Sequence, residues 1–148
     1  FDICEYIVEL KKNNEDISKL FKWKNNDGVT VHISCHSRAQ NIGNKAIEML
    51  KIIPDLKIDV IERCSGHGGS WGVKKKNFNM ALKVGKPVAR KTLQIKNRYL
   101  VSECPLAGVH VSQGIEKLEN HDFKPIIISH PIEFLALASN IQITNDKK

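Results

Sequence analysis

The 148-residue chain lacks much of what would assign it quickly. No apolar run approaches the roughly 18 residues of a membrane span. No secretory leader is visible, so a reducing, cytoplasmic setting is expected. Aromatic residues make up only 6% of the chain, too few to floor a nucleic-acid groove with stacking platforms. The net charge of +7 is spread rather than concentrated. Lys74–Lys76 is the one tight basic run and reads as a solvated helix start, so nucleic acid is not an expected partner. Four cysteines are too sparse for a small disulfide scaffold. They form no Cys-x-x-Cys pair, which excludes zinc knuckles and a dithiol redox motif. A Cys-x5-Arg phosphatase loop fails twice, because Asn41 and Ser70 stand where the arginine is needed. No Gly-Lys-Ser/Thr closes the glycine-rich stretch "SGHGGSWG", so it is not a nucleotide P-loop.

The elements that are present alternate. Strands are expected at Val29–Ser34, Lys57–Glu62, Arg98–Glu103 and Pro125–Ser129. Helices are expected at Arg38–Ile53, Lys74–Lys96 and Ala107–Leu118, with a closing helix at Pro131–Ser139. "EYIVELKKN" ahead of the first strand reads as an amphipathic helix. Pro87 predicts a kink or break in the Lys74–Lys96 helix. The alternation argues for an α/β fold, a mainly parallel sheet of about four strands flanked by helices.

On that outline the cysteines occupy one kind of place. Cys35, Cys64 and Cys104 each follow a strand, and His130 follows the fourth. The carboxyl ends of parallel strands share one rim, where open α/β sheets bind ligands. Three thiols tens of residues apart are therefore expected to converge, at the C-terminal ends of the strands. Near helix N-termini, Cys35 and Cys104 are also placed to favour thiolates. Gly66, Gly68, Gly69 and Gly108 let backbone amides approach a bulky anionic group. Arg38 and Arg63 suit either charge neutralisation there or an ordinary surface. Iron–sulfur and zinc both fit such a rim. Cys4, on a helix, reads as core filler, His32 as structural or surface, and Trp71 as core or a lid. His36 also lies on the rim.

The blocks "HISCH…AQNIG…IERCSGHGGSWG…VSECPLAG…QG…HPIEFL" resemble the CCG-type cysteine-rich domain of iron–sulfur oxidoreductases. The nearest likeness is to the C-terminal part of the C subunit family of anaerobic glycerol-3-phosphate dehydrogenase. The B subunit of heterodisulfide reductase and the lactate- and glycolate-oxidising iron–sulfur subunits are more distant. The resemblance implies one domain over residues 1–148, the C-terminal part of a longer iron–sulfur protein. It implies an electron-relay role beside a substrate-converting subunit, with other subunits of an oxidoreductase complex as partners. A quinone or membrane-associated acceptor, and a peripheral place on the cytoplasmic face of a membrane, follow from the same likeness. The family pattern holds five cysteines, of which Cys35, Cys64 and Cys104 remain. Ser65 stands at the second position of the Cys-Cys-Gly block, and Ala107 closes the last block. A [4Fe–4S] cluster needs four ligands, so a histidine is expected to complete the set, His67 first and His130 second. The alternative is a degenerate domain, zinc-stabilised or metal-free, acting as a scaffold.

Overall fold

A computed structural model describes residues 2–13, 15–23, 26–35, 39, 44–118 and 122–139. Four short strands, β1 (Val29–His32), β2 (Ile58–Ile61), β3 (Tyr99–Ser102) and β4 (Ile126–Ile128), form one sheet. Their order is β2-β1-β3-β4, and every pairing is parallel. The helices are α1 (Ile3–Asn13), α2 (Lys45–Leu50), α3 (Lys75–Ile95), α4 (Pro105–Glu116) and α5 (Pro131–Ala138), with a 3-10 helix at Glu15–Leu20 after α1. This is the expected α/β fold, with all four strands where the β-branched runs put them. Among the described residues no helix is long and apolar enough to cross a membrane.

Both faces of the sheet are covered, which is why β1 is buried at all four positions. On one face Val29, Val31 and Val101 join Cys4 and Val8 of α1, Met49 and Leu50 of α2, and Phe134 and Leu135 of α5. Burying each such side chain contributes roughly 1.5–3 kcal/mol. On the other face Ile61 and Leu100 meet Val88 and Ala89 of α3 and Val111 and Ile115 of α4.

Three expectations change in detail. The helix expected over Arg38–Ile53 is described only as α2, Lys45–Leu50; His36, Arg38 and Ile42 lie outside the described residues. Pro87 neither breaks nor divides α3, which runs unbroken for 21 residues. It sits on the exposed side, one turn after exposed Lys83, the residue whose carbonyl loses its donor. The helix expected from Ala107 begins two residues earlier, with Pro105 in its first turn and Cys104 as N-cap. Proline suits that position because its missing N–H would be unpaired there in any case.

Candidate metal centre

The strand register fixes the order of the rim. His32 of β1 lies opposite Ile61 of β2 and Ser102 of β3. Cys64 and Cys35 each come three residues beyond those aligned ends, and Cys104 two residues beyond. Along the sheet the rim therefore reads Cys64, Cys35, Cys104, then His130 after β4. The connections leave β1 and β3 in opposite directions across the sheet, so the crevice of the fold lies between the loops bearing Cys35 and Cys104. The cysteines are thiols rather than disulfides: Cys35 and Cys64 are exposed, Cys104 is half-buried and Cys4 is buried.

Beneath the rim a hydrogen-bonded chain ties three strand ends together. His32 is buried, with Nδ1 3.0 Å from Ser102 Oγ. Its Nε2 lies 2.9 Å from the carbonyl oxygen of Arg63. A carbonyl only accepts, so Nε2 carries the proton and Nδ1 accepts from the Ser102 hydroxyl. Ser102 Oγ in turn accepts from the backbone N–H of Cys104 at 3.3 Å. The residues beside Cys64 and Cys104 are thus joined through one buried imidazole. His32 is structural, and Ser102 is a supporting residue that the sequence did not single out.

The glycine loop is shaped by close backbone approach. Gly66 has φ +82°, and a Cβ there would stand 2.1 Å from the Ala81 carbonyl oxygen of α3. Gly85 of α3 faces the same constraint from the other side, its Cβ falling 2.1 Å from the Ser65 carbonyl oxygen. Loop and helix therefore touch backbone to backbone. Gly68 and Gly69 also have positive φ, 55° and 59°. The N–H of Gly66 points to Cys64 Sγ at 3.4 Å. Trp71 is 43% exposed and so not core; its ring lies against Gly68. Arg63 is exposed.

His67 does turn inward and is buried, as is Ser65, whose Oγ accepts from the His67 N–H at 3.5 Å. The neighbour of His67 is His110 of α4, with ring centroids 6.1 Å apart. Phe78 of α3 closes on His110 from another side at 5.8 Å. Nε2 of both histidines is buried with no hydrogen-bond partner among the described residues. Burial, and then the neighbouring His110, hold the His67 imidazole below its ordinary range. His110 was missed by sequence reading. The available signal was a histidine in the apolar stripe of α4, between Ala107 and Val111 on one side and Gly114 on the other, all buried. His130 caps α5 instead, its Nδ1 accepting from the Ile132 N–H at 3.3 Å.

The chemistry of the donors fits a thiolate-ligated cluster: three thiols on adjacent strand ends, an N–H directed at one sulfur, and an orphaned imidazole nitrogen nearby in sequence. Among the described residues, no three Cys, His, Asp or Glu side chains come together as a metal-binding group.

No family model matches the chain, and no solved structure matches it. Curated relatives do. An iron–sulfur protein of Methanocaldococcus jannaschii is 32% identical over 112 residues, covering 73% of this chain and 22% of its own. The C subunit of the anaerobic glycerol-3-phosphate dehydrogenase of Escherichia coli is 25% identical over 111 residues, 74% of this chain and 26% of its own. The B subunit of the fumarate reductase (CoM/CoB) of Methanothermobacter marburgensis is 30% identical over 114 residues, 74% of this chain and 22% of its own. The chain thus spans only about a quarter of the length of these relatives, or slightly less. Sequence blocks, fold and relatives agree, and the chain belongs with a family of iron–sulfur proteins that includes the C subunit of anaerobic glycerol-3-phosphate dehydrogenase.

Proposed function

We propose that the chain is an iron–sulfur electron-transfer domain of the CCG type. In this reading it relays electrons between a partner dehydrogenase and an acceptor such as quinone, and another subunit converts substrate. The observation that carries this reading is the lie of Cys64, Cys35 and Cys104 beyond the ends of three adjacent parallel strands. Cys35, Cys64 and Cys104 would hold the group, with His67 the first candidate for a fourth position and His130 the second. A bound [4Fe–4S] cluster supplies one-electron storage at the rim. The chain's own contribution is electrostatic. The Gly66 N–H withdraws charge from Cys64 sulfur, and Arg63 offsets negative charge beside it, with Arg38 as a second cation. The relatives are named as subunits of glycerol-3-phosphate dehydrogenase and fumarate reductase, which supports partners within a larger complex. A cytoplasmic place, peripheral to a membrane, belongs to the same proposal.

The test is anaerobic purification with iron, sulfide and zinc analysis, and visible and EPR spectra before and after dithionite. Iron and sulfide with a reducible signal, lost in Cys64→Ser and Cys104→Ser, are expected. Protein free of iron and sulfide after anaerobic reconstitution overturns the relay.

A second reading has its own support. Ser65 and Ala107, at two family cysteine positions, are both buried, so those places are filled by packing rather than left as open donor sites. A zinc-stabilised or metal-free scaffold follows. Zinc without sulfide, or no metal at all, decides for it.

A further inference from the structure

Beside the loop that carries Cys64, a groove of about 510 Å³ runs between the end of β2 and α3. Its charged lining is Arg63, Arg90 and Lys91 against the single carboxylate of Glu62, with Val60 and Pro87 supplying apolar wall. Arg63, Arg90 and Lys91 form no ion pair among the described residues. Pro87, Arg90, Lys91 and Gln94 follow the i, i+3, i+4, i+7 spacing of one helix face, so α3 presents them together. β2 is one of the two edge strands of the sheet, paired among the described residues with β1 alone, and Val60 is 43% exposed on it.

We propose that this groove is a docking site for an acidic segment of a partner protein. Carboxylates of the segment pair with Arg63, Arg90 and Lys91, and its aliphatic side chains lie on Val60 and Pro87. Three other occupants fit less well. All but one of the lining residues are exposed, whereas a small-molecule site encloses most of its ligand. Nucleic acid binds single strands through aromatic platforms, and the lining holds no aromatic residue. A second copy of this chain, which carries net charge +7, would be repelled on approach. Arg63 immediately precedes Cys64, so an occupant of the groove lies alongside the rim. The docking surface stands whether or not the rim holds a cluster.

The test uses the full chain and a fluorescently labelled peptide of alternating Glu and Val, read by anisotropy at low and moderate salt. Binding that weakens with salt is expected. Arg90→Ala with Lys91→Ala should weaken it about tenfold, as loss of well-aligned charge pairs does. Lys75→Ala with Lys76→Ala changes net charge equally, lies on the exposed start of α3, and should change binding less than about twofold. Equal losses in both double variants would show a non-specific charge effect and overturn the proposal. So would absence of peptide binding at low salt, or tighter groove-dependent binding of a single-stranded oligonucleotide. Circular dichroism of both variants confirms that exposed substitutions leave the fold intact.

Discussion

Cys4 and Cys64 carry the same thiol in opposite environments. Cys4 is fully buried in α1. Burial, then the negative charges of Asp2 and Glu103 and a hydrogen bond with Asp2, push its thiol up from 9.0 to about 12. The folded state therefore keeps a proton that the unfolded state releases. The resulting stability is complete below pH 9 and drains away as pH rises toward 12. Two outcomes follow. Native alkylation with iodoacetamide at about pH 8, near the ordinary thiol range, should mark Cys35 and Cys64 and spare Cys4, read by peptide mass spectrometry; equal labelling of Cys4 would contradict its burial. Cys4→Ala should also flatten the fall in urea midpoint above pH 9, although it lowers stability at neutral pH. At the same scale, Ser102→Ala removes the acceptor of the Cys104 N–H and the donor to His32. A loss of about 1–3 kcal/mol in a urea melt is expected for that buried network. The burial of Cys4 was legible in the sequence, where it reads as core filler; the network of Ser102, His32 and Cys104 was not. The alternation of "VTVH" left His32 as structural or surface; it is structural, because both faces of a parallel sheet are covered, and alternation then says only which helices a residue meets.

Helix α3 sets propensity against packing. Alanine is the better helix former than glycine by about 1 kcal/mol, so Gly85→Ala should stabilise α3 on propensity alone. The added methyl would stand 2.1 Å from the Ser65 carbonyl oxygen, a backbone atom without rotamer freedom. Packing wins. The variant should lose about 1–3 kcal/mol net in chemical denaturation, and a gain would show that the loop is free to move. The strands and most helices could be read from the sequence because β-branched runs and 3.6-residue periods are local signals. The order of Cys64, Cys35 and Cys104 along the strand ends was legible too, because parallel strands order their ends by rule. The continuity of α3 through Pro87 was not, since it depends on which side of the helix meets water. The pairing of His67 with His110 was hidden for the same kind of reason. It is created by α3 and α4 packing together, and no spacing in the chain encodes it.

At the scale of the whole molecule, the rim cysteines contribute little to the core. Both apolar layers close without Cys35 or Cys64, which are exposed. The metal-free protein should therefore stay folded. Removing bound metal with a chelator should leave the far-ultraviolet dichroism in place, while the melting temperature falls by what metal binding to the native state had added. In metal-free protein, Cys35→Ser and Cys64→Ser should each fall within about 0.5 kcal/mol of the parent. Unfolding on chelation would mean that the metal organises the fold itself, as in small zinc domains.

The contact between Gly66 and α3 has a further consequence. Because the loop meets α3 through main-chain atoms at Gly66 and Gly85, its seat on the helix is set by backbone contact rather than by the side chains at positions 65 and 67. Positions 65 and 67 can then exchange donors while the trace of the loop stays put. The chain is a socket whose shape is set by its main chain, so Ser65→Cys should leave the loop's path in place and put a buried thiol where the Ser65 hydroxyl now meets the His67 N–H.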